Sequence, residues 1–389
     1  MKALMASAVW DPKPGYALTE QESKLRRANC GSQVWRNPSF SLEDVPVPEI
    51  SDTQVLARVK RCGICGSDSH IYKTDEDGYI VFSGPAKLPC IIGHEYSGVV
   101  EQVGKNVSNF QPGDSIAAES IVWCGKCTPC RSGSFNQCSR VELTGITMDG
   151  ALAEYAAVDE LQCWDISSLS SSFSDEGMFD IASLIEPLGC AYNGIFVSGG
   201  GFRPGSVVTV YGVGPIGLGA VALSRIAGAS LIIAFDPIPE RLNIAKQLGA
   251  DYVYNSIELQ KTGTRSGDLV KEHTRGRGAE MQVEAAGAAR QTIPEMEYSL
   301  APNGKIVYLG RAATDTPILL DTLVTGANAI VGARGHSGYG IYSNVIRLLA
   351  SGRLLLGDII TSRYSFADAL LALERSVRRT DGKILVRIS

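Results

Sequence analysis

The chain has 389 residues, of which 44% are hydrophobic and 20% charged, and its formal net charge is −5 at pH 7. This length predicts two domains, and this composition is typical of a globular protein rather than a disordered one. The net negative charge and the lack of any long run of consecutive lysines and arginines argue against binding to nucleic acid or to an anionic membrane surface.

The chain start and the cysteine content indicate a cytoplasmic protein. Met1–Met5 contain Lys2 and begin no apolar stretch of signal-peptide length. The most apolar region, Val207–Phe235, is interrupted by glycines and by Arg225, so we expect no membrane span. Ten cysteines are too few for a disulfide scaffold, and their clustering favours metal binding.

The first 165 residues predict a β-rich domain. Short apolar stretches, including 54–61 and 97–103, are separated by glycine and proline, and Gly113-Asp114 indicates a turn. This pattern is typical of many short strands.

Three separated residues in and beyond this region predict an open metal site. Cys65 follows Cys62 in a C-x2-C pair, His94 comes 29 residues after Cys65, and Glu186 lies further on. A thiolate, an imidazole and a carboxylate bind zinc and leave a fourth position for water or substrate. The alternatives are a redox pair of Cys62 with Cys65, a structural role for His94, and helix capping by Glu186.

A second cysteine group predicts a closed zinc site. Its spacing is C-x2-C-x2-C-x7-C, and its members are Cys124, Cys127, Cys130 and Cys138. Short gaps let neighbouring thiolates reach one ion, and four thiolates complete a tetrahedral structural site. An iron–sulfur cluster and two disulfides are the alternatives.

From about residue 191 the pattern changes to alternating strands and helices. Segment 206–211 is a continuous β-branched run, which is typical of a buried parallel strand. Further strands are predicted at 231–235, 281–284 and 305–309, with helices at 214–227 and 238–248. This alternation predicts a doubly wound parallel sheet, and hence an α/β fold class.

A dinucleotide-binding motif joins the first of these strands to its helix. Its residues are Gly212, Gly214, Pro215, Ile216 and Gly217. The glycines permit a tight turn and close approach of the backbone to a pyrophosphate at the helix N-terminus. Asp236, 19 residues later, is placed to bind ribose hydroxyls and repel a 2′-phosphate, which favours NAD over NADP. Arg241 is placed to flank the adenine or accept a phosphate, and Asp236 is alternatively a helix N-cap.

Together these motifs resemble the zinc-containing polyol and alcohol dehydrogenase branch of the medium-chain dehydrogenase/reductase superfamily. The resemblance covers nearly the whole chain and rests on Gly93–Glu95, the four cysteines, 186–188 and the glycine motif. Segments 34–36, 73–80 and 335–338 are most similar to cyclitol dehydrogenases of the scyllo-inosose type. Aminocyclitol, sorbitol and threonine dehydrogenases share most of these features.

The resemblance implies a GroES-like catalytic domain over 1–190 and 336–389, with a structural zinc lobe at about 119–140. It implies a Rossmann domain that binds NAD over 191–335. The tail, with helices predicted at 342–350 and 366–377 and a strand at 383–388, would fold back onto the first domain. Two zinc ions per subunit, one catalytic and one structural, and a homodimer or homotetramer are also implied.

In residue terms, the resemblance makes Cys65, His94 and Glu186 the catalytic zinc ligands and Glu95 a carboxylate that can exchange onto the metal. Ser67 would take the substrate's proton and pass it to His70, which is alternatively a surface histidine.

Other roles concern the cofactor and the substrate. Backbone groups at Leu309, Gly310 and Gly332 would hold the nicotinamide carboxamide. Candidates for recognising substrate hydroxyls are Glu76, Tyr79 and His336, although Tyr79 is equally a packing residue. Gly66 replaces a basic pyrophosphate-binding residue of many alcohol dehydrogenases, and Glu186 replaces their cysteine, which points towards polyols.

We therefore predict a zinc-dependent, NAD-linked oxidoreductase that oxidises a secondary alcohol of a polyol or cyclitol to a ketone. Sorbitol, threonine or another alcohol is the first alternative substrate. A catalytically silent nucleotide-binding member and a zinc-ribbon interaction protein are the alternatives from other functional classes. The second of these leaves the glycine motif without a role.

Overall fold

The computed structural model describes residues 1–311 and 315–389, and the chain divides into two compact units. The first unit comprises Met1–Glu186, Ser362–Arg378 and Lys383–Ser389, so it contains both chain ends. The second comprises Pro187–Thr361 and Arg379–Gly382. Residues 187–190, 336–361 and 379–382, which we expected in the first domain, therefore lie in the second unit.

The regular elements follow the predicted alternation closely. In chain order the strands are β1 (Lys2–Trp10), β2 (Trp35–Asp44), β3 (Gln54–Ile64), β4 (Cys90–Ile91), β5 (Glu95–Val103), β6 (Ser115–Ala118), β7 (Ile121–Val122), β8 (Glu142–Leu143), β9 (Tyr155–Asp159), β10 (Cys163–Asp165), β11 (Val207–Tyr211), β12 (Leu231–Asp236), β13 (Tyr252–Asn255), β14 (Ala279–Glu284), β15 (Leu300–Tyr308), β16 (Ala329–Gly332), β17 (Ile360–Ser365) and β18 (Lys383–Arg387). The α-helices are α1 (Glu20–Leu25), α2 (Gly66–Tyr72), α3 (Thr128–Arg131), α4 (Asp175–Ala182), α5 (Ile185–Tyr192), α6 (Pro215–Ile226), α7 (Pro239–Gln247), α8 (Ser256–Thr262), α9 (Ser266–His273), α10 (Ala289–Tyr298), α11 (Leu320–Gly326), α12 (Ile341–Ala350) and α13 (Ala369–Ser376).

Antiparallel pairing dominates the first unit. Its main sheet has the order β10-β6-β5-β3-β18-β17, with β9 also pairing with β3. The register places Gly63 of β3 opposite Glu95 of β5, and Ile64 opposite Ile384 of β18. The last strand of the chain therefore lies beside β3, close to the start of β5.

The second unit contains a six-stranded parallel sheet of order β13-β12-β11-β14-β15-β16. All five residues of β11 are buried, which explains its continuous apolar sequence. The predicted Rossmann sheet is confirmed. The sequence analysis did not identify α8 or α9. Both are mostly polar in sequence; α8 has no buried residue, and the buried residues of α9 are Gly267 and Val270.

Across 1–311 and 315–389, no single helix combines the length and apolarity that a bilayer span requires. One bent pair, Asp175–Ala182 with Ile185–Ser198, passes that test by length and composition alone.

Candidate metal and dinucleotide sites

Three donors from two separate parts of the first unit converge as a possible metal site. Cys65 is the N-cap of α2, Glu95 is the first residue of β5, and His94 immediately precedes it. Among the described residues, one donor atom each from Cys65, His94 and Glu95 lies within 4.8 Å of the other two. Sulfur, nitrogen and oxygen donors at this separation fit a zinc ion.

Glu186 lies outside this group of three but near it. The carboxylate is buried, and its Oε1 accepts a hydrogen bond from Ser120 Oγ at 2.8 Å. Burial raises the pKa of Glu95, the ammonium of Lys383 lowers it, and the charge of Glu186 adds to the rise. Glu186 is therefore close enough to act electrostatically on Glu95. The role of Glu186 as the third zinc ligand stays a prediction.

The imidazole of His94 lies between two residues of α2. Its Nε2 is 3.3 Å from Ser67 Oγ, and its Nδ1 faces Asp68 Oδ1 at 3.8 Å. Asp68 is fully buried, and its Oδ2 accepts the Cys65 N–H at 2.8 Å. Burial raises the pKa of Asp68, while His94 and the Cys65 N–H oppose the rise. Asp68 therefore holds the Cys65 backbone and lies beside Nδ1 of the His94 ring.

The metal fit is supported by two buried atoms. His94 Nδ1 and Asp68 Oδ1 have no hydrogen-bond partner among the described residues, although both are shielded from solvent. A small shortening of their 3.8 Å separation would pair them and leave Nε2 to a metal. His70, half-buried on the same helix, is three residues beyond Ser67, and the proton relay stays a prediction.

Sequence analysis missed Lys383, the first residue of β18. Its side chain is completely buried, its Nζ pairs with Glu95 Oε2, and it donates to the Ile64 carbonyl at 3.1 Å. Burial alone would lower the pKa of Lys383, but the charges of Glu95 and Cys65 outweigh it and raise the pKa. The available signal was a lysine directly before the apolar residues 384–386 of the terminal strand.

The four-cysteine group forms a compact, closed site. All four sulfur atoms lie within 4.8 Å of one another, with Cys127 Sγ 3.4 Å from Cys130 Sγ and 3.8 Å from Cys138 Sγ. Tetrahedral zinc with Zn–S bonds of about 2.3 Å requires sulfur atoms about 3.8 Å apart. This spacing leaves room for one ion and excludes a cluster of several iron atoms. The structure describes all ten cysteines and forms no disulfide between them, which contradicts the disulfide alternative.

Backbone amides support thiolates in this group. The N–H groups of Cys124 and Arg140 point at Cys138 Sγ, at 3.4 and 3.3 Å. Hydrogen bonds from the backbone of Cys130 and then Ser139 lower the pKa of Cys127 to about 5. Thiolates are the form that binds zinc.

In the second unit the glycine motif has the predicted strand–turn–helix context. Gly212 has φ +86°, which favours glycine, and a Cβ on Gly217 would overlap the Gly212 carbonyl oxygen. Gly214 is the N-cap of α6, and Pro215 occupies its first turn. Ile216 is half-buried beside them. The helix N-terminus is thus available to an anion.

Asp236 holds this glycine turn in place. Its Oδ2 accepts the Val213 N–H and its Oδ1 accepts the Ile238 N–H, both at 2.8 Å. The N-cap of α7 is Ile238, so Asp236 does not have the alternative capping role. Burial raises the pKa of Asp236, and these two amides oppose the rise. Arg241 Nη1 lies 3.5 Å from the position of a Cβ on Gly214, so its guanidinium faces the turn.

The remaining cofactor candidates lie at the same edge of the sheet. The N–H groups of Leu309 and Gly310 both donate to the Glu284 carbonyl, at 2.9 and 3.0 Å. Gly332 ends β16 and is exposed. The carboxyl ends of parallel strands form the edge where dinucleotides bind in this fold class.

The substrate candidates occupy different environments. Glu76 is exposed on a turn, whereas Tyr79 is buried between the cations of Lys13 and Arg36, at 4.6 and 5.4 Å from its ring centre. His336, in the second unit, is buried with its ring 5.3 Å from that of Tyr342. Tyr79 and His336 both contact neighbouring side chains, and recognition of substrate by all three residues stays a prediction.

Two family models match the chain. Residues 51–168 match the alcohol dehydrogenase GroES-like domain, and residues 215–351 match the zinc-binding dehydrogenase model. The GroES-like match lies in the first unit and the other match lies in the second.

Individual proteins are similar over nearly their whole length. A scyllo-inosose 3-dehydrogenase of Thermotoga maritima is 39% identical over 90% of this chain and 91% of that protein. An L-threonine 3-dehydrogenase of Bacillus licheniformis is 33% identical over 90% of this chain and 95% of its own. A solved structure from Thermotoga maritima, described as an alcohol dehydrogenase, has a TM-score of 0.94 and 36% identity and covers 100% of both chains.

Proposed function

Because the chain belongs to the zinc-binding alcohol dehydrogenase family, we propose that it oxidises a secondary alcohol of a polyol or cyclitol to a ketone with NAD. The enzyme class, zinc and a nicotinamide dinucleotide follow from the family. The convergence of Cys65, His94 and Glu95 within 4.8 Å, with Glu186 near enough to act on Glu95, is the observation that carries the proposal. A silent member of the family would have no need to keep this donor set.

In this proposal, residues of the first unit bind the metal and move the proton. Cys65, His94 and Glu186 hold zinc, which when bound acts as a Lewis acid on the substrate hydroxyl. Asp68 orients the imidazole of His94. Ser67 accepts the hydroxyl proton, and His70 passes it to solvent.

Residues of the second unit bind the cofactor. The turn from Gly212 to Gly217 and the N-terminus of α6 receive the pyrophosphate. Each oxygen of Asp236 already accepts one amide at 2.8 Å, and the remaining lone pairs accept the ribose hydroxyls. A 2′-phosphate would meet this carboxylate, so we propose NAD over NADP.

Two kinds of support favour a polyol or cyclitol. A relative with 39% identity is a scyllo-inosose 3-dehydrogenase. Gly66 places no side chain at the start of α2, and open space surrounds the position of its missing Cβ. An amino alcohol is the second candidate, because an L-threonine 3-dehydrogenase is 33% identical. Glu76, Tyr79 and His336 stay our candidates for hydroxyl recognition.

The test is an absorbance assay for NAD reduction with inositols, inososes, sorbitol and threonine, with zinc content measured on the same preparation. We expect turnover on a cyclitol or polyol and two zinc ions per chain. Cys65→Ala should lose one zinc ion and turnover while keeping its fold. Cys30→Ala, at a half-buried thiol outside both cysteine groups, is the matched control. Unchanged turnover in zinc-depleted Cys65→Ala protein would refute the proposal.

We also propose a cytoplasmic homodimer or homotetramer in which the second unit contacts a second copy. Parallel strands are normally covered on both faces, yet β16, at the edge of its sheet, is only half-buried to exposed. Beside it in sequence, Leu319, Leu320 and Val324 are 67%, 71% and 78% exposed. Light scattering should give a dimer or larger, and Leu320→Glu should lower that mass. A monomer at micromolar concentration would contradict self-association.

A further inference from the structure

A fully buried lysine beside the proposed metal site requires an explanation. Lysine is almost never completely buried unless it is paired, because removing an ammonium from water is costly. Lys383 is 0% exposed in its side chain, and its partner Glu95 is 1% exposed. Glu95 is also one of the three converging donors. The pair therefore belongs to the chemistry around the metal as well as to the core.

The sheet register sets this pair in place. Gly63 lies opposite Glu95 across the β3–β5 ladder, and Ile384 lies opposite Ile64 across the β3–β18 ladder. Lys383 therefore reaches Glu95 from β18, and its second bond, to the Ile64 carbonyl at 3.1 Å, fixes the direction of the ammonium. A Cβ on Gly63 would overlap Glu95 Oε2, so glycine leaves room for the carboxylate.

Charge balance gives the lysine a specific task. Ionised Cys65, Glu95 and Glu186 bring three negative charges, and the buried carboxylate of Asp68 lies beside His94, so the acidic groups exceed the two positive charges of a divalent ion. Lys383 adds one positive charge inside this buried region, where an unbalanced charge is expensive. Glu95 can satisfy its charge in two ways, by pairing with Lys383 or by binding the metal.

We propose that Lys383 is a positioning residue that holds Glu95 off the metal and so keeps the fourth coordination position open. This inference rests on the proposed function, in which Cys65, His94 and Glu186 hold zinc. Without the ammonium of Lys383, the metal is the positive charge with which Glu95 can pair. The carboxylate then binds as a fourth ligand and closes the site to substrate.

The experiment measures how open the metal site is, independently of turnover. Each full-length variant is loaded with Co²⁺, and imidazole is titrated as an external ligand while the visible cobalt bands are recorded. Subtracting the spectrum of cobalt-loaded Cys65→Ala protein removes the contribution of the four-cysteine site. The variants are Lys383→Met, Lys383→Arg, Glu95→Gln and the double variant Lys383→Met with Glu95→Gln.

Lys383→Met should weaken imidazole binding by at least about tenfold. Lys383→Arg keeps the positive charge and should stay close to wild type. The double variant should regain wild-type imidazole affinity, because the competing carboxylate is gone. A purely structural role for Lys383 would not produce this rescue. Wild-type affinity in Lys383→Met, or no rescue in the double variant, would overturn the role of Lys383.

Glu95→Gln provides a test that does not depend on the folding of Lys383→Met. Since Lys383 already holds Glu95 away from the metal in the wild-type protein, the imidazole affinity of Glu95→Gln should stay within about twofold of the wild-type value. A gain of about tenfold would mean that Glu95 competes for the metal despite Lys383, and would overturn the inference. A cobalt spectrum unaffected by Cys65→Ala would instead contradict the proposed metal site itself, and with it this role.

Discussion

Replacing Asp68 with asparagine should weaken metal binding at Cys65 and His94 without removing any proposed ligand. The asparagine side-chain oxygen can still accept the Cys65 N–H, which Asp68 Oδ2 now accepts at 2.8 Å. Its amide N–H₂ would then face His94 Nδ1, where Asp68 Oδ1 lies at 3.8 Å. An amide donor at Nδ1 favours the tautomer that is protonated at Nε2. That tautomer cannot offer Nε2 to a metal.

The expected magnitude follows from the lost orientation of the imidazole. Changing a group that orients a metal-bound histidine typically lowers metal affinity by about 10- to 100-fold. This corresponds to a loss of about 1.4–2.8 kcal/mol of metal-binding free energy. We expect a loss near the upper end of this range, because a hydrogen-bond donor replaces an acceptor. The metal-free protein should unfold at nearly the wild-type temperature, because the substitution removes a buried charge and keeps the Cys65 hydrogen bond.

The assay is competition for zinc with a chromophoric chelator, together with thermal unfolding of the metal-free protein. Asp165→Asn is the matched control, because its exposed carboxylate accepts the Ser167 N–H at 2.8 Å, far from any proposed ligand in sequence. One of the two zinc ions per chain should bind more weakly in Asp68→Asn, and neither should bind more weakly in Asp165→Asn. Equal zinc affinity in both variants would refute the orienting role of Asp68.

Three further predictions concern the other sites. Cys127→Ser protein should lose one zinc ion and unfold at a lower temperature, while keeping the metal at Cys65. Zinc analysis and calorimetry measure these two effects. Retention of both zinc ions would contradict the four-cysteine site. Gly217→Ala should lose NADH binding by fluorescence titration while keeping its circular dichroism, since a Cβ there would overlap the Gly212 carbonyl; wild-type affinity would refute the close turn. Asp236→Ala protein should bind NADH about tenfold more weakly. Its affinity for NADH should also exceed its affinity for NADPH by a smaller factor than in wild type. An unchanged ratio of the two affinities would show that Asp236 does not discriminate.

The features that the sequence predicted well are those that local physics determines. Buried parallel strands need apolar residues on both faces, so the continuous run in β11 was recognisable on its own. The four-cysteine site was equally local, because its ligands lie within 15 residues and spacing alone lets them meet one ion. The glycine turn was recognisable because its strand and helix flank it directly.

Features that depend on strand register could not be predicted. Lys383 and Glu95 are 288 residues apart in the chain, and only the order β5-β3-β18 brings them together. Spacing also could not show which carboxylate would lie nearer to Cys65 and His94. The structure puts Glu95 in the tight group, with Glu186 held nearby by Ser120. Residue types indicated a metal site, but not the arrangement of charges around it.

The two proposed metal sites of the first unit balance negative charge in different ways, and this difference fits their roles. In the four-cysteine site, Cys124 and Cys127 are half-exposed, and backbone N–H groups point at Cys138. Amides and solvent can therefore stabilise the excess charge of four thiolates around a divalent ion. The site at His94 is buried and must leave a position open for substrate. Another anionic ligand would only add negative charge and would close the site, so a cation that does not bind the metal has to offset the excess, as Lys383 is placed to do.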